Sequence, residues 1–182
     1  MDTSYDDLIV IDMQTGERTF LSGEGYLIKD MTSFTVDEDL GLAFVLSGDR
    51  CGVDSSNALY AGCVVTVDLN TGERVLISNN ELPFAMPNFF APLEIANDAA
   101  RDRLIVFMSY GFMSVDQVTG ERSLIFERDN YWPLAILLDS LNDRVFVGNK
   151  RYGNIGLSSI DVYDLVTGEV RDLGVSGGFP GN

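Results

Sequence analysis

The sequence predicts an all-β fold in which one four-stranded antiparallel unit recurs along the chain. Three observations predict it. The tetrad Asp-x-x-Thr-Gly-Glu occurs four times, beginning at Asp12, Asp68, Asp116 and Asp164. Its Thr positions, Thr15, Thr71, Thr119 and Thr167, lie 56, 48 and 48 residues apart. Between tetrads a second spacing recurs, Asp37 to Val45, Asp98 to Val106 and Asp139 to Val147. Self-similarity at such a period marks a repeat architecture.

Each tetrad sits between two strand-like runs. Before it stand Leu8-Ile9-Val10-Ile11, Val64-Val65-Thr66-Val67, Phe112-Met113-Ser114-Val115 and Ile160-Asp161-Val162-Tyr163. After it stand Arg18-Thr19-Phe20-Leu21, Arg74-Val75-Leu76-Ile77, Arg122-Ser123-Leu124-Ile125 and Val170-Arg171-Asp172-Leu173. A strand, a Gly-containing turn and a strand make a β-hairpin. The Gly is expected at positive φ, and the Asp carboxylate is expected to accept turn N–H groups. The other hairpin pairs Ser33-Phe34-Thr35-Val36 with Leu42-Ala43-Phe44-Val45, and likewise in the two later copies. Only Asn97 to Arg103 is passably helical, and it crosses an expected turn.

With strands lettered A to D, the unit runs A-hairpin-B-loop-C-hairpin-D. Its length of about 48 residues fits a four-stranded blade of a β-propeller, with a linear stack of hairpins as the alternative. The chain is expected to form a single domain over 1–182: a half blade at 1–25, then blades at 26–79, 80–127 and 128–175. That is about three and a half blades, or about 14 strands, a partial propeller. Such an arc leaves strand edges and an apolar face open, which favours self-association. The first expectation is a piece of a longer protein. Two copies sharing a ring, and a small four-bladed closure, are the alternatives.

Composition narrows the function classes. Hydrophobic residues make up 46% of 182 positions, which supports a packed core rather than disorder. No apolar run approaches the roughly 20 residues of a membrane span, so no membrane insertion is expected. Met1 to Asp7 lacks the basic start and apolar centre of a signal peptide. The net charge of −16 repels phosphate backbones, which argues against nucleic acid and anionic membrane as partners. There is no His, so Ser-His and Cys-His nucleophile pairs and His-ligated zinc are absent from this chain. The two cysteines, Cys51 and Cys63, are too few for a disulfide scaffold. One disulfide across a hairpin loop and two buried thiols both remain open.

The run Val67-Asp68-Leu69-Asn70-Thr71-Gly72-Glu73-Arg74-Val75-Leu76-Ile77-Ser78 resembles the blades of NHL, YVTN and gluconolactonase-like propellers. It is closest to the repeats of bacterial envelope proteins. The resemblance covers nearly the whole chain. It implies the fold well and the function poorly, because such propellers host lactonases, peptide-binding scaffolds and adhesion modules. It also implies a periplasmic, cell-surface or secreted location. Gluconolactonase-like members hold a divalent cation with a channel-centred set of Glu, Asn and Asp. Here the aligned positions give one Glu, with Ser33 and Ala135 beside it.

Function is expected where copies differ. Glu94 stands on a channel-lining strand as a candidate ligand or cation contact. The loop Ser47 to Asn57 carries Asp49 and Asp54, which with Glu94 are the candidate metal ligands; calcium is the ion left open, and no other cofactor is expected. The aromatic loop Leu82 to Pro92 contains Asn88, and Tyr131-Trp132-Pro133 echoes it. Glu94, Asn88 and Trp132 are therefore the candidate ligand contacts. Buried, the aromatic loop would plug the channel or pack between blades. The reading that follows is a non-catalytic scaffold or recognition domain for a protein or small molecule, with a calcium-dependent lactonase as the alternative.

Overall fold

The computed structural model describes residues 8–21, 28–48, 62–80, 89, 91–127, 133–150 and 158–174. Among them are fourteen strands and no α-helix. The strands are β1 (Leu8–Ile11), β2 (Arg18–Leu21), β3 (Met31–Asp37), β4 (Leu42–Ser47), β5 (Cys63–Asp68), β6 (Arg74–Asn79) and β7 (Pro92–Asp98). They continue as β8 (Arg103–Met108), β9 (Gly111–Asp116), β10 (Arg122–Glu127), β11 (Pro133–Asp139), β12 (Arg144–Lys150), β13 (Ser158–Asp164) and β14 (Val170–Asp172). A single 3₁₀ turn, Ala99–Arg101, falls in the passably helical stretch. Among the described residues no helix is long and apolar enough to cross a membrane.

The strands form one two-stranded and three four-stranded antiparallel meanders: β1-β2, β3-β4-β5-β6, β7-β8-β9-β10 and β11-β12-β13-β14. The tetrad closes the hairpin between the last two strands of each. In the second copy Asp68 Oδ1 accepts the N–H groups of Asn70 and Thr71, both at 2.8 Å. Gly72 N–H donates to Asp68 O, and Asp68 N–H donates to Glu73 O. The same contacts recur at Asp12, Asp116 and Asp164. The four glycines sit at φ of 72° to 76°, the left-handed region that a side chain disfavours. Donated N–H groups, above all that of the Thr, hold all four Asp carboxyls below their usual pKa. These carboxylates are turn elements, as the repeat implies.

The first hairpin of each unit has its own lock. Asp98 Oδ2 accepts from Arg103 Nε at 2.7 Å, and Asp139 Oδ2 from Arg144 Nη2 at 2.8 Å. In the earlier unit Leu42 replaces the Arg, and Asp37 instead accepts from Asn97 Nδ2 of the next sheet at 3.0 Å. A lost intra-sheet contact becomes a contact between sheets.

The sheets stack face to face, which explains the unbroken apolar runs of β4 and β8. Successive side chains of a strand point to opposite faces, and here both faces are covered. Leu104 and Val106 meet Phe44, Leu46 and Val64 of the preceding sheet. Ile105 and Phe107 meet Val145, Val147 and Tyr163 of the following one. Ala43, Val45, Val65 and Val67 face back toward Leu8 of β1. Phe112 and Tyr163 meet edge-on, with ring centroids 5.1 Å apart.

The Arg that follows the tetrad fastens the second and third sheets each to the one before it. Arg74 Nη2 donates to Leu21 O at 3.2 Å. Arg122 Nη1 donates to Asn80 Oδ1 at 2.8 Å, its guanidinium 4.9 Å from the centre of the Phe89 ring. Both arginines are buried. Gly120 lies so close to β6 that a Cβ there would stand 2.0 Å from Ile77 O. The last junction lacks this latch. Val170 stands where the Arg would be, and a Cβ on Gly168 would meet nothing within 4 Å. The last two sheets are joined instead at the other rim, where Arg101 bonds Ser140 O and the Asp143 carboxylate.

Two substitutions separate backbone strain from packing. Gly168→Ala should cost about 1–2 kcal/mol, the penalty of a left-handed alanine. Gly120→Ala should cost about 1–3 kcal/mol more, because a fixed carbonyl occupies the space. Urea unfolding of the two variants measures the difference, and equal losses would contradict the close approach.

Candidate functional site

The inner strands β3, β7 and β11 bring Ser33, Glu94 and Ala135 to equivalent positions. Each pairs with the corresponding residue of its neighbour strand, Leu46, Phe107 and Gly148. Each follows a register shift at the start of its strand. The Ile95 N–H, beside Glu94, points across to Ser33 Oγ at 3.4 Å. Glu94 is half-buried, and burial alone pushes its pKa above the ordinary value. Desolvation disfavours the charged form when no cation compensates it.

Among the described residues no group of three Asp, Glu, Cys or His side chains is placed to hold a metal ion. Asp49, Asp54, Asn88, Trp132 and Cys51 lie outside the described residues. Cys63, at the start of β5, is buried and disulfide-bonded. Of the aromatic loop, Phe89 is described. It is fully buried between the second and third sheets, its N–H donating to Asn80 Oδ1 at 2.8 Å and its carbonyl accepting from Asn80 Nδ2 at 3.2 Å. Arg122 caps its ring, so this residue packs between blades.

A second candidate surface lies on the outward face of the last sheet. Arg144, Phe146, Val162, Asp164, Glu169, Arg171 and Leu173 line a concavity of about 380 Å³. Phe146 pairs with Val162 across β12 and β13, so both side chains share this face and form its apolar floor. Charge stands around the rim, with Arg171 Nη2 at 3.4 Å from Glu169 Oε2. Leu137 and Ile160 extend the apolar surface and are exposed. Sequence reading looked for function in irregular loops and missed these residues, which occupy regular repeat positions. The available signal was that Phe146 aligns with Phe44, a core residue of an internal junction.

No family model matches the chain, and no curated protein is similar to it. Solved structures are similar in fold. A chain of a nidogen/laminin complex superposes with a TM-score of 0.66 at 15% identity, covering 94% of this chain and 56% of that one. TolB from Acinetobacter baumannii gives 0.61 at 13% identity, covering 93% and 38%. An oligogalacturonate lyase in complex with manganese gives 0.59 at 11%, covering 92% and 47%. All three are β-propellers. The fold is a β-propeller arc. The chain spans about half or less of the length of these structures, and at such identities the likeness is one of fold.

The buried charge on Glu94 gives a pH-dependent prediction. An acid whose folded pKa is raised carries a penalty above that pKa and none below the unfolded value. Glu94→Gln should therefore raise the thermal midpoint at pH 7, by on the order of 1–2 °C. The gain should vanish near pH 4, where both states bind the proton. Melts of both proteins across pH 4 to 7 measure this, and a lower midpoint at pH 7 would show that the carboxylate is paired with a cation.

Proposed function

We propose that the chain is a non-catalytic β-propeller module that recognises a protein partner. The observation that carries this is the apolar surface of exposed Leu137, Ile160 and Leu173 around the concavity floored by Phe146 and Val162, inside a charged rim. An apolar patch with a polar border is the anatomy of a protein contact. A neighbour in fold occurs in a nidogen/laminin complex, which fits this use of the architecture. The net charge of −16 disfavours acidic partners and nucleic acid.

One observation favours a second reading, a calcium-dependent lactonase of the gluconolactonase-like class. Glu94 is a half-buried carboxylate on an inner strand with a raised pKa. A neighbour in fold is an oligogalacturonate lyase in complex with manganese, which supports this reading. Lactone hydrolysis measured with and without calcium decides between the two. The recognition reading expects no calcium-dependent turnover in either the native protein or Glu94→Gln. Calcium-stimulated hydrolysis that Glu94→Gln abolishes would replace it with the enzyme reading.

The compartment belongs to the same proposal. Cys63 is disulfide-bonded, and Cys51 is the other cysteine of the chain. A Cys51–Cys63 bridge fits an oxidising compartment, the periplasm, the cell surface or the exterior. Reduction should raise the intact mass by about 2 Da and cost about 2–3 kcal/mol, as for loops of similar length. Mass spectrometry with and without reductant, followed by urea unfolding, measures both; an unchanged mass would remove the bridge and the argument for the compartment.

A further inference from the structure

The two end faces of the arc are the two halves of a junction that the molecule makes internally. On the leading face Ile9 and Ile11 align with Val65 and Val67, and with Met113 and Val115. All four of those counterparts are 0% exposed, whereas Ile9 and Ile11 are 47% and 49% exposed. Arg18 aligns with the buried latch residues Arg74 and Arg122, and is itself exposed. Gly16 aligns with Gly120, and a Cβ on it would meet nothing within 4 Å. On the trailing face Phe146 and Ile160 align with Phe44 and Val64, which are 1% and 0% exposed, while Ile160 is 41% exposed. Leu173 aligns with Leu21, whose carbonyl accepts from Arg74, and with Ile77, whose carbonyl receives Gly120.

The leading face thus carries the donor half of the latch, Gly16 and Arg18. The trailing face carries the acceptor half, the carbonyl of Leu173 beside the Phe146 floor. We propose that a second copy of this chain docks head to tail, its leading face on the trailing face of the first. The contact continues junctions already built within the chain: Arg74 donates to Leu21 O between the first and second sheets, and Arg122 donates to Asn80 Oδ1, with Gly120 against Ile77 O, between the second and third. Two arcs stack eight sheets, six of four strands and two of two, within the usual range of propeller rings. A heterologous contact of this kind closes a ring when its rotation allows. The high net charge of each copy opposes docking, so added salt should strengthen it. The proposal rests on reading the trailing face as a protein-contact surface.

Sedimentation equilibrium of the full chain at about 1 to 100 µM in high salt tests it. Two copies are expected. Ile9→Glu and Ile160→Glu, each on an exposed position, should weaken association by about 30-fold or more, the loss expected of a central interface residue. Far-UV circular dichroism and thermal melts confirm that each variant is folded. The decisive measurement mixes them. Each variant keeps the face that the other has lost, so native mass spectrometry should show the mixed pair and neither like pair. A single-copy mass at every concentration overturns the proposal. Pairing that ignores both substitutions, or a mixture that fails to associate, overturns it as well. Calcium-dependent turnover is a separate readout, so a monomer without turnover ends self-docking and leaves the recognition reading standing.

Discussion

Face-to-face stacking of sheets is the constraint on which the rest of the structure depends. Each strand of a middle sheet places alternate side chains into two different junctions, Leu104 and Val106 backward, Ile105 and Phe107 forward. No sheet can bury both its faces alone, so stability is a sum over neighbours, as in other repeat proteins. The outer positions follow from this. Phe34 and Val36 share a face with Val45 and Ala43, and both are exposed because the two-stranded first sheet does not cover them.

Stacking by itself sets no register between sheets, because apolar contact is non-directional. The tetrad supplies direction. Its Asp organises the turn, its Gly lets the turn approach a neighbouring carbonyl, and the Arg after it reaches the preceding sheet. One short segment therefore shapes a hairpin and aligns a junction. This accounts for a recurrent Gly-Glu-Arg where a turn alone requires only the Gly.

Most of the architecture was legible in the sequence, because turn chemistry and period are local. The four Asp carboxylates behave as turn acceptors, the strands lie at the expected runs, and the 3₁₀ turn falls in the weakly helical stretch. The site was less legible. Glu94 stood out against Ser33 and Ala135, and the register confirms that the three are equivalent. Its raised pKa depends on what surrounds it, which spacing does not report. The patch around Phe146 was not singled out, for a different reason. At the sequence level Phe146 and Phe44 are the same kind of residue, and only the absence of a neighbour among the described residues makes one of them surface.

The one departure from the latch shows how such a molecule divides its stability. Val170 removes the Arg from the last junction, and the whole of β14 is exposed. What holds this sheet is the packing of Tyr163 against Phe112 and Phe126, together with the Arg101–Asp143 contact at the opposite rim. The second of these lies away from the tetrad turn. The outer edge of the last sheet is thus weakly constrained, with few buried contacts among the described residues to oppose local opening. That edge borders the Phe146, Val162 and Leu173 floor. A partner seated there would supply the missing contacts to β14. Binding at this face would then order the edge as well as bury its apolar surface, which links recognition to the same stacking that builds the fold.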